Sequence, residues 1–229
     1  MARHRLAVPV DLLHTKASDA SLVKVIRFVA FDLGKVLASP PDLYAAPAAY
    51  LGVPSEVFEG LYWNGRKAYD QGGSRVEYWG PLLQGLGLEP TAEAITHLAT
   101  LDAELWIQLR PSAEAMLTTV YSWGLRTALV SNGPLALGRA VSSAEWSALI
   151  DRVFISSELR LSKPDPAVFP AVTAQLDVEP AEVAFIDDRQ ECVDAANDYG
   201  WLSHLWVDDT DSLAWLTSIV DTHSPEFHE

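Results

Sequence analysis

The pattern of apolar positions changes character along the chain. From Val25 to Phe31 six of seven residues are apolar. That run is too continuous for a strand with one wet face; it predicts a strand buried on both faces, ending at Asp32-Leu33-Gly34. From 42 to 108 the spacing is helical, in stretches of roughly 42–51, 54–63, 65–71, 75–86 and 91–108, punctuated by Gly52, Pro54, Gly72-Gly73, Gly87 and Pro90. No strand pattern interrupts that block, which Ser39-Pro40-Pro41 opens. From Pro111 onward short apolar runs alternate with helical stretches. The strands are expected at Arg126–Val130, Arg152–Ser156, Val183–Ile186 and Ser203–Val207. The helices are expected from Pro111 to about Trp123, at about 134–147 and 166–176, then up to Gly200, and at about 211–220. Alternation of this kind predicts an α/β fold, a doubly wound parallel sheet of five strands with helices on both faces, carrying an inserted all-helical block.

The expected organisation is an N-terminal extension at 1–24, a core formed by 25–39 and 110–220, the helical block at 40–109 and a polar tail at 221–229. A chain of 229 residues buries enough surface to need no covalent staples. The single cysteine, Cys192, rules out an internal disulfide and is expected of a reducing, cytoplasmic setting. No apolar run reaches membrane-spanning length, so no membrane partner is expected. The formal net charge of −15 disfavours a nucleic-acid surface, which would repel rather than neutralise a phosphate backbone. An anionic small substrate would need local positive charge or a metal. The oligomeric state is left open by these features.

Parallel topology brings strand ends to one edge of a sheet, where open α/β folds bind their ligands. Asp32, Ser131, Lys163 and the pair Asp187-Asp188 should therefore converge. Each has a plain structural reading when taken singly. Asp-x-Gly after a strand is often a turn, Ser131-Asn132-Gly133 reads as a turn and helix cap, and Lys163 as a solvated loop lysine. The acidic pair is harder to dismiss. Adjacent carboxylates near a third repel unless a cation or proton is shared, and a hard divalent ion with oxygen ligands relieves that conflict.

Four motifs stand in order: Phe31-Asp32-Leu33-Gly34-Lys35-Val36-Leu37, Leu129-Val130-Ser131-Asn132, Lys163-Pro164-Asp165-Pro166-Ala167-Val168-Phe169, and Phe185-Ile186-Asp187-Asp188. With them the sequence, over roughly 25–207, resembles the haloacid dehalogenase (HAD) superfamily, and within it the phosphatase-like members with a small helical (C1-type) cap. The helical block falls where that family inserts its cap. The resemblance implies a Mg²⁺-dependent phosphatase acting on a small phosphorylated metabolite, a sugar phosphate among the candidates. Asp32 would be the nucleophile that forms an aspartyl-phosphate. Mg²⁺ would be held by Asp32, the Gly34 carbonyl and Asp188, with Asp187 behind or in place of Asp188. Lys163 would neutralise charge, while the Ser131 hydroxyl and the backbone N–H groups of Leu33, Gly34 and Asn132 cradle the phosphoryl oxygens.

Two departures from the family pattern stand out. Most family phosphatases carry a second Asp two residues after the nucleophile, as the proton donor to the leaving group; here that position is Gly34. Loss of a general acid typically costs about 10²–10⁴-fold. The resemblance extends to phosphatases with the same Asp-Leu-Gly that act on sugar 1-phosphates, whose anomeric oxygen leaves more readily than an ordinary alkoxide. The second departure is Cys192, where the family often has Asp or Asn; it reads as a small buried helix residue. Lys35 replaces a common Gly or Asn, and either adds charge near the site or points away. Within the block, Arg66, Tyr69 and Asp70 share a helical face and suit a hydroxylated ligand, with Arg66 as the residue expected to face it. The alternative there is aromatic packing by Tyr62 and Trp63 and an Arg66–Asp70 pair. His97 is expected at the surface, and hinges for cap movement at 39–41 and 108–111. Two other functions remain in view. One is a 2-haloacid dehalogenase, which would be expected to lack the acidic pair. The other is a catalytically impaired phosphate-binding or regulatory protein.

Overall fold

A computed structural model describes residues 25–220 of the chain. The expected N-terminal extension and polar tail lie outside the described residues. The first strand, β1 (Phe28–Phe31), is shorter than the apolar run that announces it. Val25 is exposed, although Arg27 N–H still donates to the Glu182 carbonyl at 2.8 Å. Five helices follow: α1 (Ala45–Leu51), α2 (Ser55–Tyr62), α3 (Arg66–Asp70), α4 (Arg75–Gly85) and α5 (Ala92–Trp106). Their ends are set locally. Ser74 and Glu77 close a capping box on α4, Thr91 Oγ1 accepts from Ala94 N–H to cap α5, and Gly52 ends α1 at φ 69°. These helices bury a cluster of their own, centred on Phe58, Tyr62, Trp79, Leu83 and Leu98.

Beyond them the chain runs α6 (Pro111–Ser122), β2 (Arg126–Ser131), α7 (Leu135–Ser143), β3 (Arg152–Ile155), α8 (Ser156–Leu159), α9 (Val168–Leu176), β4 (Val183–Asp187), α10 (Gln190–Tyr199), β5 (Leu202–Leu205) and α11 (Asp209–Ile219). The sheet is parallel throughout, in the order β3-β2-β1-β4-β5. Alternate residues feed two cores. Val29, Phe31, Leu129, Ile155 and Ile186 meet α6, α7 and α11 on one face. Phe28, Ala30, Val130, Phe154 and Phe185 meet α9 and α10 on the other. Full burial of each such large side chain contributes about 1.5–3 kcal/mol. Both faces are covered, which is why the strands read as continuous apolar runs rather than alternating ones.

Details depart from the sequence reading. The expected helix to 147 stops at Ser143, where Ala144 turns extended (ψ 139°), and a 3₁₀ turn at Glu145–Leu149 follows. The one-turn α8 was not expected. The fifth strand begins at Leu202 and ends at Leu205, two residues short of the expected Val207. Asp187 belongs to β4 itself, rather than following it. Among the described residues no helix is long and apolar enough to cross a membrane.

The two segments joining the helical block to the sheet lie side by side, with an antiparallel bridge between Ala38 and Leu109. Arg110 fastens the return. Its N–H donates to Leu37 O at 2.8 Å, its guanidinium to Lys35 O at 2.9 Å and to Val36 O, and it pairs with Asp209 at 2.6 Å.

Candidate active site

Connections run from β1 through β2 to β3 on one side of the sheet, then cross to β4 and β5 on the other. The crevice between the ends of β1 and β4 is thus the topological switch point, where a doubly wound sheet leaves room for a ligand. Asp32 stands at one lip and Asp187-Asp188 at the other. Asp32 N–H still donates to Ile186 O at 2.9 Å, which holds the carboxylate's backbone against β4.

Lys163 reaches into this crevice from the loop before α9. Its Nζ lies 2.9 Å from Asp32 Oδ1 and 2.6 Å from Asp187 Oδ2, and all three side chains are largely buried. Asn132 aims it: the Asn132 side chain donates to Lys163 O at 2.8 Å and accepts from Lys163 N–H at 2.9 Å. Burial works against the ammonium, but the charges of Asp187 and Asp32 outweigh it and raise the Lys163 pKa. Burial raises the Asp32 pKa, with Asp187 adding to the rise and Lys163 opposing it. The plain reading of Lys163 as a solvated loop lysine is thereby excluded.

Oxygens of Asp32, Asp187 and Asp188 lie within 4.8 Å of one another. Both Asp187 oxygens are engaged, Oδ2 by Lys163 and Oδ1 by Arg189 N–H at 2.9 Å. Asp188 Oδ2 meets Lys35 Nζ at 2.8 Å. Among the described residues the ion pairs fall on Asp32 Oδ1 and Asp188 Oδ2, leaving Asp32 Oδ2 and Asp188 Oδ1 without a cation, and the Gly34 carbonyl accepts from Val36 N–H at 2.7 Å. An all-oxygen set of one or two carboxylates and a carbonyl beside open space suits Mg²⁺, which keeps several waters. The residues present therefore fit such an ion.

The Ser131 hydroxyl faces the same crevice; its nearest partner is Asn132 O at 3.5 Å, too long for a strong bond. Leu33 contributes a backbone N–H toward Asp32. A cavity of about 790 Å³ opens above these groups. Its floor includes Asp32, Gly34, Ser131, Lys163 and Asp188, and its roof Tyr44, Trp63, Arg66, Lys67, Asp70 and Trp106 from the helical block.

Arg66 lines the cavity and is also held. It pairs with Asp70 at 2.7 Å and Asp102 at 3.2 Å and donates to Tyr62 Oη. The Arg66–Asp70 pair forms at the cavity wall itself, whereas Tyr69, expected on the same ligand-facing side, is buried in the block's own core and stacks on Tyr78. Tyr62 is fully buried, whereas Trp63 is half exposed and His97 lies at the surface. Cys192 is buried at the cavity edge, and burial pushes its thiol up to about 12, so it carries no thiolate.

Three features escaped the sequence. Trp106, at the end of α5, lays its ring over Gly34: a Cβ there would sit 3.6 Å from Trp106 Cζ3 and 3.8 Å from Asp32 Oδ2. Its Nε1–H donates to Tyr62 Oη at 3.0 Å, which joins it to Asp102 and Arg66. Lys35 adopts φ 58°, a left-handed conformation. Ser156 Oγ accepts from Gly133 N–H at 3.0 Å and donates to Asp70 O, which ties the crevice to the helical block. Only the left-handed Lys35 left a trace in sequence, standing where the family often has Gly or Asn.

The model of a haloacid dehalogenase-like hydrolase family matches residues 26–200. Among curated proteins, the chain is 29% identical over 102 residues to (S)-2-haloacid dehalogenase 1 of Pseudomonas sp. strain CBS-3, covering 44% of this chain and 45% of that one. It is 35% identical over 102 residues to a phosphoserine phosphatase of Thermus thermophilus, covering 44% and 41%. The chain thus spans about half the length of the curated relatives it matches. Among solved structures, a HAD family enzyme from Bacteroides thetaiotaomicron in complex with magnesium and inorganic phosphate superposes with a TM-score of 0.61 at 18% identity, covering 79% of this chain and 93% of that one. L-2-haloacid dehalogenase from Xanthobacter autotrophicus, with chloropropionic acid covalently bound, superposes with a TM-score of 0.66 at 22% identity, covering 88% and 85%. At these identities the likeness is one of fold.

Proposed function

Because the chain belongs to the haloacid dehalogenase-like hydrolases, we propose that it is a Mg²⁺-dependent phosphatase that hydrolyses a small phosphorylated metabolite through an aspartyl-phosphate on Asp32. The observation that carries this reading is the meeting of Asp32, Asp187 and Asp188 at the switch point with Lys163. Displacement of a halide from carbon by a carboxylate needs no such acidic pair, whereas an anionic nucleophile attacking an anionic phosphoryl group needs added positive charge. The magnesium and phosphate bound by the Bacteroides relative of the same fold, and the Thermus phosphatase, agree with it.

In this reading an Asp32 oxygen attacks phosphorus, the bond to the leaving oxygen breaks, and water then cleaves the acyl phosphate to release inorganic phosphate. Asp32, the Gly34 carbonyl and Asp188 would hold Mg²⁺, which would supply charge neutralisation at the transferring group. Lys163 pairs with Asp32 and fixes the direction of its carboxylate. The Ser131 hydroxyl and the N–H groups of Leu33, Gly34 and Asn132 cradle the phosphoryl oxygens, and Asp187 anchors Lys163. The helical block acts as the cap that roofs the cavity, with Arg66 meeting the remainder of the substrate.

Gly34 favours a second reading. With Trp106 where a proton donor would stand, the site suits a leaving group that departs without a proton, and halide is one. Dehalogenation of a 2-haloacid is therefore the alternative.

Hydrolysis of p-nitrophenyl phosphate separates the two, because nitrophenolate leaves unprotonated and the assay is blind to the missing acid. We expect turnover with Mg²⁺, loss with EDTA and loss in Asp32→Asn. Chloride release from 2-chloropropionate without metal, and no phosphate release, would establish the alternative instead.

A further inference from the structure

Lys35 sits in the left-handed region at φ 58°, a conformation that costs an L-residue with a Cβ and that glycine or asparagine adopts more cheaply. Strain of this kind persists where surrounding structure enforces it, and it clusters at functional sites. Here the enforcing contacts are visible. Lys35 N–H donates to Ala38 O at 2.7 Å and its carbonyl accepts from Arg110 at 2.9 Å, so the peptide is pinned on both sides. From that pinned backbone the side chain runs back over the crevice and sets its ammonium 2.8 Å from Asp188 Oδ2. The Lys35 side chain is mostly exposed while that of Asp188 is mostly buried, so the ammonium reaches Asp188 from the solvent side. Lys163 neutralises Asp32 and Asp187 from below. Each of the three carboxylates therefore already has an ammonium partner.

We propose that Lys35 is a tethered cation that pairs with Asp188, competes with a divalent ion for it and so sets the site's affinity for a free divalent ion. The inference rests on the metal site of the preceding reading and concerns its regulation rather than its existence. A divalent ion arriving alone must share Asp188 with the ammonium or displace it, and it meets like charge within a few ångströms. A phosphoryl dianion arriving with the ion supplies the missing negative charge and gives the ammonium a second partner. The site is accordingly built to fill with metal and phosphate together and to hold metal alone weakly. Arg189, which lines the same cavity and pairs with Glu191 at 2.7 Å, adds to the local positive charge without touching Asp188.

The test is calorimetric titration of Mg²⁺ into the full chain without substrate, repeated in the presence of orthovanadate as a phosphoryl mimic. Lys35→Gly removes the charge and accepts the left-handed backbone; Lys35→Asn does the same with a side chain; Lys35→Arg keeps the charge. We expect both neutral variants to bind Mg²⁺ alone about tenfold or more tightly than the parent, consistent with a like charge a few ångströms from the ion. Lys35→Arg should match the parent within about threefold. Vanadate should tighten Mg²⁺ binding more in the parent than in Lys35→Gly. Equal or weaker Mg²⁺ affinity in both neutral variants would overturn the proposal while leaving the metal site intact. Absence of Mg²⁺ binding in every variant, with and without vanadate, would overturn the metal site and this inference with it.

Discussion

Gly34 carries the strongest chemical consequence of any single residue. With no carboxylate two positions after Asp32 and the Trp106 ring 3.6 Å from where a Cβ would begin, the proposed phosphatase would leave the alkoxide of an ordinary ester to take its proton from water. Turnover should therefore fall steeply with leaving-group basicity, with p-nitrophenyl phosphate outrunning a simple alkyl phosphate by about 10²–10⁴-fold, the usual worth of a general acid. Gly34→Asp combined with Trp106→Ala should narrow that gap by raising the alkyl rate; comparable rates for both esters in the parent would refute the argument. Lys163 is the second such residue. Lys163→Met strips two largely buried carboxylates of their partner and should cost about 3–5 kcal/mol, read by urea denaturation. A loss below about 1 kcal/mol would show that the ammonium is dispensable to the fold. Both positions were legible in sequence, because a parallel sheet delivers strand ends to one edge whatever the intervening loops do. Trp106 was not. It arrives from the far end of α5, and nothing in the spacing of an amphipathic helix says which foreign backbone its last turn will cover.

At the scale of elements, the junction between the helical block and the sheet turns on Arg110. The sequence placed hinges at 39–41 and 108–111, but Arg110 is fixed to Leu37, Lys35, Val36 and Asp209 and belongs with the rigid part. Any movement of the helical block against the sheet would have to be absorbed before it, in the pair of segments bridged by Ala38 and Leu109. Arg110 is a lone cation after a loop, and a sequence gives no sign that its carboxylate partner lies at the start of α11, 99 positions away. The pair has a pH signature. Burial of Asp209 raises its pKa, but hydrogen bonds from Arg110, Ser112 and Trp206 outweigh it, so the net shift is downward. A carboxyl lowered in the folded state adds stability that is fully present above the ordinary aspartate pKa of about 3.9 and is lost as pH falls through the folded value. The gap in melting temperature between parent and Asp209→Asn should thus be widest near pH 6–7 and close below about pH 4. A gap independent of pH would mean the pair contributes no linkage.

At the scale of the whole molecule, the helical block and the sheet edge that carries Asp32 and Lys163 are coupled. The alternation from Pro111 onward specified the sheet and the continuous helical period specified the block, since each buries its own core. Part of the seam between them is apolar, where α5 packs on α7 and Trp106, Ile107 and Leu109 meet the sheet's core, and part is polar and short-ranged, which hydrophobic period cannot encode. The polar part joins the C-terminal end of α3 to the chain leading into Lys163. Asp70 O accepts from Ser156, Gln71 donates to Ser162 at 2.8 Å, and Gly72 O accepts from Arg160 at 3.3 Å. Ser156 is the pivotal member, because the same hydroxyl accepts from Gly133 N–H beside Asn132, and Asn132 in turn aims Lys163. A buried N–H deprived of its partner costs about 1–3 kcal/mol, so Ser156→Ala should loosen the loop at 131–134 and the α3 end in one step. Hydrogen exchange measures this directly. Amides around 131–134 and around 68–73 should both exchange about tenfold or more faster in Ser156→Ala, with the strands of the sheet unchanged. Faster exchange on one side of the seam alone would show that block and edge open independently, and that the Ser156 bonds do not couple the α3 end to the loop that aims Lys163.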